Sequence, residues 1–124
     1  MFQNSGSAGK HLICDFKNIE NESFLRDMSC CIKLCQEICA KHTFQIIGEA
    51  THQFTPEGYS FVFLLSESHL SVHTFPERNF LSFDLYTCRQ FECNKVYETI
   101  FHQLLESLCA SKEHSTIQII DRFF

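Results

Sequence analysis

The sequence predicts an α+β fold: a two-layer sandwich in which a mainly antiparallel sheet carries two helices on one face, in the order β-α-β-β-β-β-α-β. Three observations lead there. Apolar-rich runs between residues 43 and 87 follow one another with only short breaks, as hairpin-linked strands do. Two stretches, 22–41 and 94–110, switch to apolar side chains three or four residues apart. The chain has 124 residues, 44% of them hydrophobic and 14 of them Phe, which suits one domain with an aromatic core.

Residues 1–9 (MFQNSGSAG) are small and polar and are expected to form a disordered leader, with 10–124 as a single domain. KHLICDF (10–16) is short and apolar-rich and suits a first strand. In 22–41, Leu25, Met28, Ile32, Cys35 and Cys39 define one helix face, and Asn21 or Ser23 can cap its start. TFQIIGEATHQF, YSFVFLLS, HLSVHTF and FLSFDLYT then read as strands. Thr55-Pro56-Glu57-Gly58 is a turn, and Pro76 breaks the run before the last of the four. Leu81, Phe83 and Leu85 alternate with Ser82, Asp84 and Tyr86, the pattern of a half-buried strand. Tyr97, Ile100, Phe101, Leu104 and Leu108 form the stripe of the second helix, and Thr116 to Ile120 closes the chain as a strand. Helices on one face leave the other uncovered, and a second copy of the chain is one way to cover it.

Composition narrows the function. The formal charge is −5 with no basic patch, which argues against nucleic acid as a partner. No run approaches the ~18 apolar residues that span a bilayer. No charged start followed by an apolar run marks a secretory signal, so the eight cysteines read as reduced thiols in a cytoplasmic protein. Cys31, Cys35 and Cys39 lie at i, i+4 and i+8 of one helix beside Cys30. Structural zinc sites usually gather ligands from two separated pairs, so no metal is expected. His11, His42, His52, His102 and His114 show no ligand spacing.

The informative stretch is Ser66-Glu67-Ser68-His69-Leu70-Ser71-Val72-His73-Thr74-Phe75-Pro76-Glu77. Two strand-like runs meet at Glu67-Ser68, His69 and His73 follow closely, and Cys88 ends the next strand. A hydroxyl, an imidazole and a thiol in one region suggest nucleophilic chemistry, against the plainer reading of a polar turn with a satisfied histidine.

SESHLSVHTFPE resembles the processing-site motif of the bacterial-type S-adenosylmethionine decarboxylase proenzymes. The likeness includes Gly9-Lys10-His11-Leu12, His52-Gln53-Phe54, Gly58-Tyr59-Ser60 and Phe83-Asp84-Leu85-Tyr86-Thr87-Cys88, and fades after about residue 105. The resemblance implies self-cleavage at Glu67-Ser68 into 1–67 and 68–124, with Ser68 converted to a pyruvoyl cofactor. In such enzymes that group takes the substrate's α-amine as a Schiff base and accepts the electrons left by CO₂. It implies His73 as a proton acceptor in processing, Ser60 as the serine that assists it, and Cys88 as general acid toward the substrate carbon. It further implies Phe54 and Phe75 as aromatic contacts to S-adenosylmethionine and Glu77 as the ribose-binding carboxylate. Phe75 stands where many relatives carry Trp, and Asp15 where they commonly carry Glu. The product would be the aminopropyl donor for spermidine synthesis, and the short chains of the family pair as homodimers. A pyruvoyl decarboxylase of ornithine or arginine, or an inactive regulatory homologue, are the alternatives. The second should lack the serine, the histidine or the cysteine, and this chain has all three.

Overall fold

A computed structural model describes residues 6–124. The elements run β1 (Ser7–Phe16), α1 (Ser23–Arg26), α2 (Met28–Lys41), β2 (Ile46–Gln53), β3 (Tyr59–Leu65), β4 (Ser68–Phe75), β5 (Phe80–Thr87), α3 (Lys95–Leu108) and β6 (Thr116–Phe123), with a 3-10 turn at Pro76–Arg78. One open six-stranded sheet is ordered β2-β3-β4-β5-β1-β6, and every neighbouring pair is antiparallel. The α+β class and the antiparallel sheet match the sequence expectation.

Strand periodicity decides which side chains face the helices. Along β3 and β5, Tyr59, Phe61, Phe63, Leu65, Leu81, Phe83 and Leu85 are buried, while the residues between them are not. They form one core cluster with Leu25 of α1, with Cys31, Leu34, Cys35, Ile38 and Cys39 of α2, and with the buried face of α3. Each large side chain removed from water in this way contributes roughly 1.5–3 kcal/mol. The aromatic content is spent there: Phe16 stacks on Phe101 at 5.4 Å between ring centres, and Phe61 lies 5.1 Å from Phe63.

The first helix differs from expectation. It is broken at Asp27, whose backbone is extended (φ −102°, ψ 99°) and whose carboxylate accepts from the Ser29 backbone N–H, capping α2. Asn21 and Ser23 hydrogen-bond each other instead, and the start of α1 has no side-chain cap. The break turns the buried face of α2 toward Cys31, Leu34 and Ile38, with Met28 and Ile32 only partly buried beside them. The short α1 is pinned to the sheet by two buried polar groups. The Tyr59 hydroxyl donates to the Phe24 carbonyl, and Thr74 Oγ1 accepts from the Tyr59 N–H (3.0 Å) and donates to the Leu25 carbonyl (3.2 Å).

The disordered leader expected over 1–9 does not extend to residues 7–9. Its first five residues lie outside the described ones, and β1 already begins at Ser7. The reason is pairing: Ser7 and Gly9 lie opposite Phe123 and Arg122 across a bulge, and β6 runs to Phe123 rather than stopping at Ile120. Gly9 is at φ +112°, and a Cβ there would stand 2.3 Å from the Thr87 carbonyl oxygen. Among the described residues, no helix is long and apolar enough to cross a membrane.

Candidate active site

The β3–β4 turn brings Ser66 and Glu67 to the sheet end and makes Ser68 the first residue of β4. Ser68 shares the parity of Leu70 and Val72, so its side chain points to the helix-covered side, where it is 8% exposed. Its Oγ is buried and has no hydrogen-bond partner. A buried hydroxyl without a partner is costly, and each such group calls for an explanation. Beside it, the carbonyl oxygen of Glu67 accepts from the Cys88 backbone N–H (3.3 Å) and from Cys88 Sγ (3.2 Å). Two donors on one carbonyl oxygen polarise that carbonyl and suit it to carry negative charge. The Ser68 side chain opens on a cavity of about 400 Å³ lined by Thr43, Phe44, Gln45, Ser66, Glu67 and Arg89. Arg89 lies over the Phe44 and Phe91 rings at 4.6 and 5.0 Å and donates to the carbonyls of His42 and Thr43. A lone arginine after Cys88 carried no signal in the sequence.

A second group of candidate residues lies elsewhere. Ser60 and His73 are register partners on β3 and β4, and Ser60 Oγ is 2.6 Å from His73 Nδ1. Both sit on the sheet face away from the helices. Ser68 and His73 are five residues apart on one strand, roughly 16 Å of extended chain, and an odd spacing puts them on opposite faces. Phe75 and Glu77 continue past His73, and Phe54 follows β2 at the same end of the sheet. Phe54 and Phe75 are 46% and 41% exposed. Phe54 packs edge-on against His52 at 4.7 Å, and Phe75 lies 5.7 Å from Phe80. Glu77 is exposed in the 3-10 turn. A single chain therefore brings together Glu67, Ser68 and Cys88 at one end of β4, and Ser60, His73, Phe54, Phe75 and Glu77 at the other. It does not join the two groups.

The first group sets a buried, unpartnered hydroxyl next to a peptide carbonyl held by two donors, within a two-layer α+β domain of the decarboxylase class. The S-adenosylmethionine decarboxylase family profile matches residues 10–117. A proenzyme of that name from Geobacillus kaustophilus is 31% identical over 116 residues, covering 90% of this chain and 85% of the relative. One from Symbiobacterium thermophilum is 39% identical over 80 residues, covering 64% of this chain and 60% of the relative. The solved adenosylmethionine decarboxylase of Aquifex aeolicus superposes with a TM-score of 0.79 at 21% identity, covering 95% of this chain and 92% of that one. The Trypanosoma brucei AdoMetDC monomer gives a TM-score of 0.61 at 14% identity, covering 90% of this chain but 46% of that one. The chain belongs to the S-adenosylmethionine decarboxylase family, and the expectation of a carboxy-lyase enzyme holds with it.

Proposed function

We propose that the chain cleaves itself between Glu67 and Ser68, that residue 68 becomes a pyruvoyl group, and that the product decarboxylates S-adenosylmethionine to the aminopropyl donor for spermidine synthesis. The observation that carries this reading is the unpartnered Ser68 Oγ beside a Glu67 carbonyl held by both donors of Cys88. Attack of Ser68 Oγ on the Glu67 carbonyl carbon forms an ester as the peptide C–N bond breaks and the hydroxyl proton passes to the Ser68 nitrogen. The Cys88 donors stabilise the oxygen that gains charge in that step. Loss of the residue 68 α-proton then expels residues 1–67 as a carboxylate, and water replaces the nitrogen of the resulting dehydroalanine, which leaves as ammonia. The pyruvoyl fits the same place, since its three carbons are those of residue 68 and a cavity adjoins them.

The group supplies an electrophilic carbonyl that no side chain offers and a sink for the electron pair left by CO₂. The rest falls to this chain's residues. Ser60 Oγ and His73 Nδ1 form a proton-accepting pair for the processing step. Cys88 Sγ returns a proton to the substrate carbon. Phe54 and Phe75 offer exposed aromatic faces to the adenine and the sulfonium, and Glu77 an exposed carboxylate to the ribose hydroxyls.

These two groups meet in a homodimer. Packing two open sheet faces about a two-fold axis sets the Ser68 end of each β4 over the His73 end of the other, and His73 then reaches the Glu67-Ser68 peptide around the end of the strand, of which Ser68 is the first residue. Val62 and Leu64, exposed on that face, supply apolar surface for it. The protein would work in the cytoplasm.

The test is intact mass on the purified protein. Fragments 1–67 and 68–124, the second with a blocked N-terminus, are expected, together with a single uncut chain for Ser68→Ala. Cyanoborohydride with S-adenosylmethionine should add mass to fragment 68–124, whereas ornithine and arginine should not. An uncut wild-type chain with Ser68 intact would end the reading.

A further inference from the structure

The open sheet face carries a cluster outside both groups. His11 on β1, Asp84 on β5 and His69 on β4 lie on three adjacent strands. Tyr86 pairs in register with both histidines, so each imidazole reaches diagonally, two residues along β5, toward Asp84. His11 Nε2 is 2.5 Å and His69 Nε2 3.8 Å from Asp84 Oδ2. All three ligand atoms lie within 4.8 Å of one another. The two histidine rings meet edge to face at 5.9 Å, and each lies within 6.0 Å of the Tyr86 ring. Ser71 Oγ donates to the other carboxylate oxygen, Asp84 Oδ1, which fixes the carboxylate and leaves Oδ2 turned toward the imidazoles.

We infer that His11, His69 and Asp84 form a binding site for a divalent transition metal of the zinc type. Two imidazole nitrogens and one carboxylate oxygen are a common donor set for such ions. Bonds of about 2.0–2.1 Å place tetrahedral ligands roughly 3.3–3.4 Å apart. The observed spacings bracket that value, so small side-chain rotations suffice. Within one chain the side chains are 21%, 44% and 25% exposed, which leaves a fourth position for water or, where the proposed dimer closes over this face, for a group between the two sheets. Ser71 plays the part of an outer partner that orients a ligating carboxylate. A hydrogen-bonded imidazole–carboxylate pair needs only one histidine; the second converges on Asp84 without hydrogen-bonding to it.

The site acquires a further role through the self-cleavage proposed above, on which this part rests. His11 lies in fragment 1–67, whereas His69 and Asp84 lie in fragment 68–124. A bound ion then ties the two fragments together one residue beyond the new terminus.

Binding is measured on the full-length Ser68→Ala chain, so its outcome does not depend on cleavage. Cobalt(II) and zinc are titrated in under a reductant that does not bind metal, with calorimetry and cobalt absorption as readouts. One equivalent is expected, with a ligand-field spectrum lacking thiolate charge-transfer bands, which separates this site from the eight cysteines. His11→Gln, His69→Gln and Asp84→Asn, each a shape-preserving change at a partly buried position, should weaken binding at least tenfold. Ser71→Ala should weaken it by about 10–100-fold. Circular dichroism confirms that each variant is folded. Absence of saturable binding, a thiolate-type spectrum, or binding indifferent to all three ligand changes would overturn the site. If the wild-type chain stays uncut while Ser68→Ala binds metal, the cleavage reading fails and the site stands. In cleaved protein, metal should delay separation of the fragments in denaturant, and His11→Gln should abolish the delay. Equal separation with and without metal would refute the tie alone.

Discussion

Gly9→Ala tests whether Cys88 acts through its hold on the Glu67 carbonyl. Gly9 is not in the site, but its α-carbon backs onto the end of β5. A Cβ would lie 2.3 Å from the Thr87 carbonyl oxygen, 2.8 Å from the Cys88 α-carbon and 3.0 Å from the Thr87 carbonyl carbon. All three are backbone atoms, so no side chain can swing aside. Ordinary contact begins near 3.4 Å, and the Thr87-Cys88 backbone must therefore retreat by about an ångström. The positive φ adds strain of about 1–3 kcal/mol. Because β5 lies between β1 and β4, a retreat of that size from Gly9 presses Cys88 against the Glu67 side and spoils the hydrogen-bond geometry of its N and Sγ, which now stand 3.3 and 3.2 Å from the Glu67 carbonyl oxygen. Misplacement by about 1 Å can slow a positioned reaction by about 10²-fold. The assay is a pulse–chase of cell-free translated chain, following the appearance of fragments 1–67 and 68–124. Gly6→Ala is the control, since Gly6 also has positive φ (+69°) but nothing within 4 Å of an added Cβ. Gly9→Ala should cleave about 10²-fold more slowly while folding, and Gly6→Ala at the normal rate. Normal cleavage by Gly9→Ala, or equal slowing by Gly6→Ala, would refute the argument.

Two further predictions concern the elements that carry the site. Thr74→Val removes the hydroxyl shared by the Tyr59 N–H and the Leu25 carbonyl, leaving two buried groups unpaired at about 1–3 kcal/mol each; denaturant unfolding should show a loss of roughly 2 kcal/mol or more, and a loss below 0.5 would deny these bonds their role. Asp27 caps α2, and its carboxyl is held below the usual range by hydrogen bonds from the Ser29 and Cys30 side chains and the Ser29 backbone N–H. A depressed folded pKa means stability that is present above the unfolded value, near pH 4, and lost as pH falls through the folded one. Asp27→Asn should therefore melt below wild type at neutral pH, with the two curves converging in acid; a gap that does not change with pH would show that the charge contributes nothing.

Much of the fold was legible because its strands and second helix announce themselves by period. Leu81, Phe83 and Leu85 alternate into the core, and Tyr97, Ile100, Phe101, Leu104 and Leu108 are all buried on α3. The break at Asp27 was hidden because apolar spacing runs across it from Leu25 to Met28. An Asp two residues before Ser29 is a capping signal, but it is weaker than the periodicity that overran it. The early start of β1 depends on a partner strand more than a hundred residues away in sequence. The candidate residues all lay in recognisable motifs, yet the division into two ends of β4 came only with the register. His11, His69 and Asp84 share no sequence spacing at all. The order β4-β5-β1 alone makes them neighbours.

That division gives the dimer a direct test. A contiguous motif is not a contiguous site: no side-chain rotation carries His73 through the sheet and along about 16 Å of strand to Ser68. If His73 serves the cleavage step, it serves the other protomer. Two cleavage-deficient chains then repair each other. Ser68→Ala lacks the nucleophile but keeps the Ser60–His73 pair, whereas His73→Ala keeps the nucleophile and lacks the pair. Expressed alone, the first should not cleave and the second should cleave slowly. Co-expressed with different tags, the His73→Ala chain should be cut in every mixed dimer, about half of all dimers when pairing is random, while the Ser68→Ala chain stays intact. If the His73→Ala chain cleaves no faster in the mixture, although mixed dimers are recovered through both tags, then His73 does not act across the interface. The geometry then removes it from the cleavage reaction altogether, leaving Ser68 with the two donors of Cys88.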